Sequence, residues 1–176
     1  MAKQIQSRLS PTLGTASTSE EENVEEHQIG IISDTHGLVR PDAMEILQGS
    51  EMIIHAGDIG GPKILQTLRT IAPIVAVRGN NDRGEWARRL SKTEIVEIDE
   101  ARIVVVHILR VLDMDLTGID CVISGHTHRA SAKKKDGVLY LNPGSAGPRR
   151  FGQPATVALL RVQGRAVDAE IVHLLK

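Results

Sequence analysis

Apolar residues fall into short runs along this chain, and most runs stop at a glycine, an aspartate or a histidine. Residues 29–33, 52–55 and 74–77 are continuous and rich in isoleucine and valine, the pattern of strands buried on both faces. Between them the spacing becomes helical. Pro41 opens a predicted helix that runs through Gln48 and stops at Gly49. Ile64, Leu65, Leu68 and Ile71 give residues 63–71 one apolar face, and a short helix is predicted over 86–90.

The rhythm then changes to hairpins. Residues 94–98 and 102–106 join at Asp99 and Glu100, residues 130–134 and 138–141 flank Asp136-Gly137, and residues 155–162 and 165–174 turn at Gln163-Gly164. A short amphipathic stretch around 111–116 leads to a buried strand over 121–124. Strand–helix units followed by hairpins predict an α/β (α+β) fold, two mixed β-sheets packed as a sandwich and flanked by helices.

Residues 1–27 lack that patterning. They are rich in Ser, Thr and Gln, then nearly all acidic over 20–26, a composition with no apolar face to order it. They are read as a flexible tail, with the domain covering 28–176. At 41% hydrophobic content that length fits a single core. Net charge is -1 with both signs interspersed, and there is one Trp, one Tyr and one Phe. Neither a dedicated nucleic-acid surface nor a base-stacking platform is expected. The lone Cys121 excludes an internal disulfide, reads as a buried inert thiol, and fits a reducing cytoplasm. No apolar run has the length of a membrane span. The edge of the terminal hairpin would allow a homo-oligomer and is equally compatible with a monomer.

Five predicted strands end in candidate ligands: Asp34 and His36, Asp58, Asn80, His107, then His126 and His128. Singly each has a plainer reading, as a helix cap, a turn residue or a surface histidine. Together they acquire another meaning, because the carboxyl ends of parallel strands share one rim. Two carboxylates, one amide and four imidazoles with no thiolate suit Mn, Fe, Zn, Co or Ni. Seven ligands exceed the needs of one four-coordinate ion and match two ions that share a carboxylate.

In order and in gaps, Asp34-Thr35-His36, Gly57-Asp58, Gly79-Asn80, His107 and Gly125-His126-Thr127-His128 resemble the signature of calcineurin-like metallophosphoesterases. The short spacing and Asn142-Pro143-Gly144-Ser145 are similar to the small bacterial and archaeal phosphodiesterase subgroup, itself similar to the small scaffold subunit of retromer. The resemblance spans residue 28 to the C-terminus. It implies two divalent metal ions, manganese foremost. Asp34, His36, Asp58 and His128 would hold one, and Asp58, as a bridge, would share the other with Asn80, His107 and His126. Two dications, two carboxylates and a bridging hydroxide would carry about +1, attracting a small phosphate ester for attack by that hydroxide.

Two positions depart from the family pattern. Many members carry a histidine after the Gly-Asn pair, where this chain has Asn81, which cannot give up a proton. Asn81 is expected to touch a phosphoryl oxygen and Asp82 to brace the loop. The phosphodiesterase subgroup also lacks that histidine. A general acid contributes ~10²–10⁴-fold, so slow turnover on esters with good leaving groups is expected. His107-Ile108-Leu109 replaces the family's His-Gly-His but keeps the first histidine. Arg149, after the 142–145 loop, is a candidate phosphate contact. The expected activity is therefore a phosphodiesterase. Its rivals are a phosphomonoesterase or nuclease on the same centre and a non-catalytic interaction scaffold on the same fold.

Overall fold

The computed structural model describes residues 25–149 and 152–175. Most of the stretch read as a tail lies outside those residues. The first strand nevertheless begins at His27, the last residue of that stretch, where the ring Nδ1 lies 2.9 Å from Glu51 Oε2.

Among the described residues, ten strands form two five-stranded sheets. The first contains β1 (His27–Ile32), β2 (Met52–His55), β3 (Ile74–Ala76), β9 (Thr156–Gln163) and β10 (Ala166–His173), in the order β10-β9-β1-β2-β3. The second contains β4 (Thr93–Ile98), β5 (Ala101–Val106), β6 (Cys121–Ile123), β7 (Ser131–Lys135) and β8 (Val138–Asn142), in the order β4-β5-β6-β8-β7. In each sheet three adjacent strands run parallel: β1, β2 and β3 in the first, β5, β6 and β8 in the second. Antiparallel hairpins flank them. Both sheets are mixed, as the change from βα units to hairpins predicts.

Side chains alternate across each strand. Ile29 and Ile31 of β1, Ile103 and Val105 of β5, Cys121 and Ile123 of β6 and Leu160 of β9 interdigitate between the sheets. The opposite face of the first sheet, including Ile32 and Ile53, packs under α1 (Pro41–Ile46) and α2 (Pro62–Leu68) through Ala43, Leu47, Leu65 and Leu68. Trp86 of α3 (Glu85–Arg88) joins that layer. Among the described residues no α-helix covers the second sheet's outer face. Val104, Val106 and Val122 pack against Leu112 and Leu116, in the loop after a single 3-10 turn at Leu109–Val111. The three α-helices are thus grouped on one side, and the amphipathic stretch near 111 closes the other as an irregular cover.

Candidate metal centre

Every candidate ligand follows the carboxyl end of a parallel strand, and the local backbone there is unusual. Among the described residues, seven non-glycine positions have positive φ. Two, Asp99 and Asp136, are hairpin turns; the other five are Asp34, His36, Asp58, His126 and His128. Such conformations cost on the order of 1–3 kcal/mol each and persist only where the surroundings enforce them. Here the two sheets do so. Asp34 N–H donates to Gly57 O and His36 N–H to Asp58 O, each at 3.0 Å, locking the loop after β1 onto the loop after β2. Gly125 N–H donates to His107 O at 3.0 Å, joining the exits of β6 and β5. His126 N–H crosses between sheets to Asp34 Oδ2 at 3.0 Å.

Two glycines make the crowding possible. A Cβ on Gly57 (φ 95°) would sit 2.7 Å from His107 Nδ1, and one on Gly79 would overlap the backbone and carboxylate of Asp58.

The side chains converge in two groups that meet at the aspartates. In one, His128 Nε2 lies 3.2 Å and His36 Nε2 3.8 Å from Asp34 Oδ1, with the two ring nitrogens 3.4 Å apart. In the other, Asn80 Oδ1 lies 3.1 Å from His107 Nε2 and 3.0 Å from His126 Nδ1. Asp58 Oδ2 connects them, 3.4 Å from His107 Nε2 and 4.0 Å from His36 Nε2. All seven residues singled out from the sequence therefore share one cluster.

Their polar atoms face one another in a way that suits a cation. His107 Nδ1 sits 2.7 Å from Ala56 O, so that nitrogen carries a proton. A neutral ring then turns its Nε2 lone pair towards Asn80 Oδ1 and Asp58 Oδ2. Buried Asp34 Oδ1 accepts no hydrogen bond among the described residues, an arrangement that costs free energy unless a positive charge is supplied. Asp34, His36 and His128, and likewise Asp34, Asp58 and His107, bring one ligand atom each within 4.8 Å of one another. The donors are nitrogen and oxygen alone, because Cys121 is in the core with its thiol pushed up to about 12 by burial. The residues present fit divalent cations.

Electrostatics agree. Burial raises the Asp58 carboxyl pKa, but hydrogen bonds with His107 and Asn81 outweigh it and hold the group well below the usual carboxylate range. Burial lowers the His107 pKa, yet Asp58 and Asp34 together raise it above that of an ordinary imidazole. His55 is different. Fully buried, its pKa is pushed down to about 3 by loss of solvent. Its Nδ1 accepts from Gly57 N–H at 3.2 Å, which leaves Nε2–H to donate to Thr35 Oγ1 at 2.8 Å; Thr35 donates onward to Ile59 O. A neutral His55 thus props both ligand-bearing loops from below.

Of the other sequence candidates, Asn81 and Asp82 lie against this core. Asn81 is held by Asp58: its Nδ2 donates to Oδ2 at 2.6 Å and its N–H to Oδ1 at 2.8 Å. Asp82 is buried and accepts from three backbone amides, those of Ile59, Gly60 and Gly79. With both oxygens so engaged it braces the loops and touches no ligand position. Arg149 is exposed. Sequence reasoning passed over Ser33, whose hydroxyl donates to Asp34 Oδ2 at 2.7 Å, and the bracing role of Asn142, whose Nδ2 donates to Gly125 O at 2.8 Å. No local pattern marks Ser33, and the Asn142-Pro143-Gly144-Ser145 stretch marks Asn142 without its contact to Gly125.

Two grooves flank the cluster. One, of about 420 Å³, runs past Asn80 and His107 to Arg78 and Lys92. The other, of about 640 Å³, runs past His126 to Tyr140, Arg110 and Arg129. Ile108 lines both and stands between them.

Comparison with known proteins points the same way. The calcineurin-like phosphoesterase superfamily domain matches residues 28–165. A probable metallophosphoesterase of Methanothermobacter thermautotrophicus is 37% identical over 160 residues, covering 82% of this chain and 91% of that protein. The structure of a novel archaeal phosphodiesterase superimposes with a TM-score of 0.67 at 28% identity, over 82% of this chain and 99% of that one. Vps29 of Chaetomium thermophilum superimposes with a TM-score of 0.69 at 19% identity, over 83% and 97% of the two chains. At that identity the likeness is one of fold.

Proposed function

This chain belongs to the calcineurin-like phosphoesterase superfamily, and from that premise we propose that it is a dinuclear metal-dependent phosphodiesterase. Asp34, His36, Asp58 and His128 hold one ion; Asn80, His107 and His126 hold the second, and Asp58 serves both. Two divalent cations at such a site acidify water towards neutral pH and offset charge on the phosphoryl oxygens. Manganese suits the nitrogen and oxygen donors, with Fe, Zn, Co and Ni as alternatives.

The chain's own residues do the rest. Asp34 and Asp58 supply the negative charge that retains the ions, and the backbone hydrogen bonds between the strand-exit loops fix the positions of the seven side chains. The observation that carries the reading is the contact among Asn80 Oδ1, His107 Nε2 and His126 Nδ1 at 3.0–3.1 Å. These residues come from three separate strand exits in two different sheets, and they meet where a second ion would have to sit.

A diester is favoured over a monoester for two reasons. The archaeal relative at 28% identity is described as a phosphodiesterase, and grooves on both sides of the centre leave room for two ester arms. The test is hydrolysis of bis-p-nitrophenyl phosphate against p-nitrophenyl phosphate with Mn²⁺, with and without chelator. Faster diester hydrolysis that chelator abolishes is expected. A monoester preference would make the protein a phosphatase.

The second reading is an interaction scaffold. It is favoured by exposed Leu109 and Val111, 40% and 64% accessible beside the centre. An inactive protein that binds no metal would favour it.

A further inference from the structure

The groove beside Asn80 and His107 contains two cations and no acid. Arg78 and Lys92 line it together with Thr93, and Val106, Ile108 and Val111 make its apolar wall. Three surface bases meet acids, Arg102 with Glu97, Arg161 with Glu170 and Arg165 with Asp120, while most other Lys and Arg among the described residues make no ion pair. Among the described residues neither Arg78 nor Lys92 makes such a pair.

Their proximity is built into the backbone. Arg78 N–H donates to Ser91 O at 2.8 Å, which fixes the exit of β3 against the residue before Lys92. The Arg78 side chain is half-buried, and its Nε donates to Asp82 O at 3.2 Å. Asp82 is itself clamped by three amides, as described above. The guanidinium is therefore oriented by the same rigid loop that positions Asn80. Two basic side chains lining one recess beside an apolar wall raise the local positive potential and attract an anion, and a planar guanidinium with an ammonium is a good receptor for phosphate.

We propose that Arg78 and Lys92 form a second anion subsite, selecting phosphodiesters that carry another phosphate on the ester arm lying over Asn80 and His107. The proposal rests on the phosphodiesterase reading for the position of the scissile group and deepens it by naming the substrate class. The scissile phosphate sits at the metal centre and the second phosphate in the recess. The arm reaching past His126, towards Tyr140, carries no such requirement.

The test measures binding and turnover separately. Calorimetry on the Mn²⁺-loaded full chain compares thymidine 3′,5′-bisphosphate with thymidine 5′-monophosphate. Turnover compares thymidine 5′-(p-nitrophenyl phosphate) with the same compound bearing a 3′-phosphate. In wild type the second phosphate is expected to improve both affinity and kcat/KM by about tenfold, the scale of one charge-assisted contact at a partly solvated site. Arg78→Gln and Lys92→Gln should each bring the ratio towards one. Lys92 is exposed, so its variant tests the proposal even if Arg78→Gln fails to fold.

Arg88→Gln, on the exposed surface of α3, is the control for diffuse charge and should keep the ratio. A wild-type ratio near one overturns the subsite, as does an equal fall in Arg88→Gln. An inactive protein that still prefers the bisphosphate would defeat the phosphodiesterase reading while sustaining the subsite; an active one without the preference would do the reverse.

Discussion

Asn81 grips Asp58 with both of its donors, the side-chain amide on Oδ2 at 2.6 Å and the backbone N–H on Oδ1 at 2.8 Å. At the position where many relatives are expected to carry a proton-donating histidine, this chain has a residue that secures the Asp58 carboxylate. A leaving alkoxide gets no proton from Asn81.

Rates on a series of aryl phosphodiesters should therefore rise steeply with the acidity of the leaving phenol. Asn81→His should flatten that slope and raise the rate on poor leaving groups, by no more than the ~10²–10⁴-fold typical of general acids. A shallow dependence in wild type would mean that another group donates the proton.

Asp58 touches both halves of the cluster, so Asp58→Ala should weaken both ions together. Replacing groups that merely support a ligand costs 10–100-fold in affinity or activity, and a shared ligand should exceed about 100-fold. Elemental analysis of wild type and variant reads this directly. Retention of one full equivalent in the variant would separate the two sites and remove Asp58 as their bridge.

Gly57→Ala places a methyl group 2.7 Å from His107 Nδ1 at a φ of 95°. The strain and the overlap together should cost ~1–3 kcal/mol of stability and displace His107 from Asn80. Urea unfolding measures the first effect. Metal stoichiometry measures the second, which should fall on the His107 side of the cluster.

His55 supplies a pH dependence. Its imidazole takes a proton near 6.5 when unfolded but only at about 3 in the native protein, because burial excludes the charged form. Between those values the unfolded chain holds more protons, so stability rises with pH; it is complete above 6.5 and lost on acidification towards 3. The slope is at most about 1.4 kcal/mol per pH unit. His107, with its raised pKa, acts above about 6.5, where its contribution is lost as pH rises, and Asp58, held low, adds its own loss towards acid, so wild type alone is not diagnostic. The difference between wild type and His55→Gln is: the variant should lose the dependence below about pH 6.5 in urea titrations. Parallel curves would mean that His55 is solvated.

Much of the fold is legible from local pattern. Residues 52–55 are predicted and observed as a strand without a shift at either end, because a short β-branched apolar run between Glu51 and the Ala56-Gly57 turn has few alternatives. The helix begun by Pro41 stops at Ile46, two residues before its predicted end, the usual fraying of a last turn. The stretch near 111, amphipathic in sequence, forms only a 3-10 turn at Leu109–Val111. Its apolar residues cover the second sheet from an irregular loop, since a cover needs contact with Val104 and Val122 but no helical period. His27 was assigned to the tail on composition, yet it pairs with Val162 across β1 and β9, a partner more than a hundred residues away.

The identity and order of the seven clustered side chains are written in the chain, because strand exits are local and each carries its own Asp, His or Asn. What each residue does beyond that depended on partners distant in sequence. Asp82 became a clamp only when the amides of Ile59, Gly60 and Gly79 closed on it, and Arg78 became interesting only when the β3 exit met Ser91. Hydrophobic period and turn chemistry act over a few residues, so sequence alone carries them. The facing of one side chain on another arises when two sheets pack, and only the tertiary structure decides it.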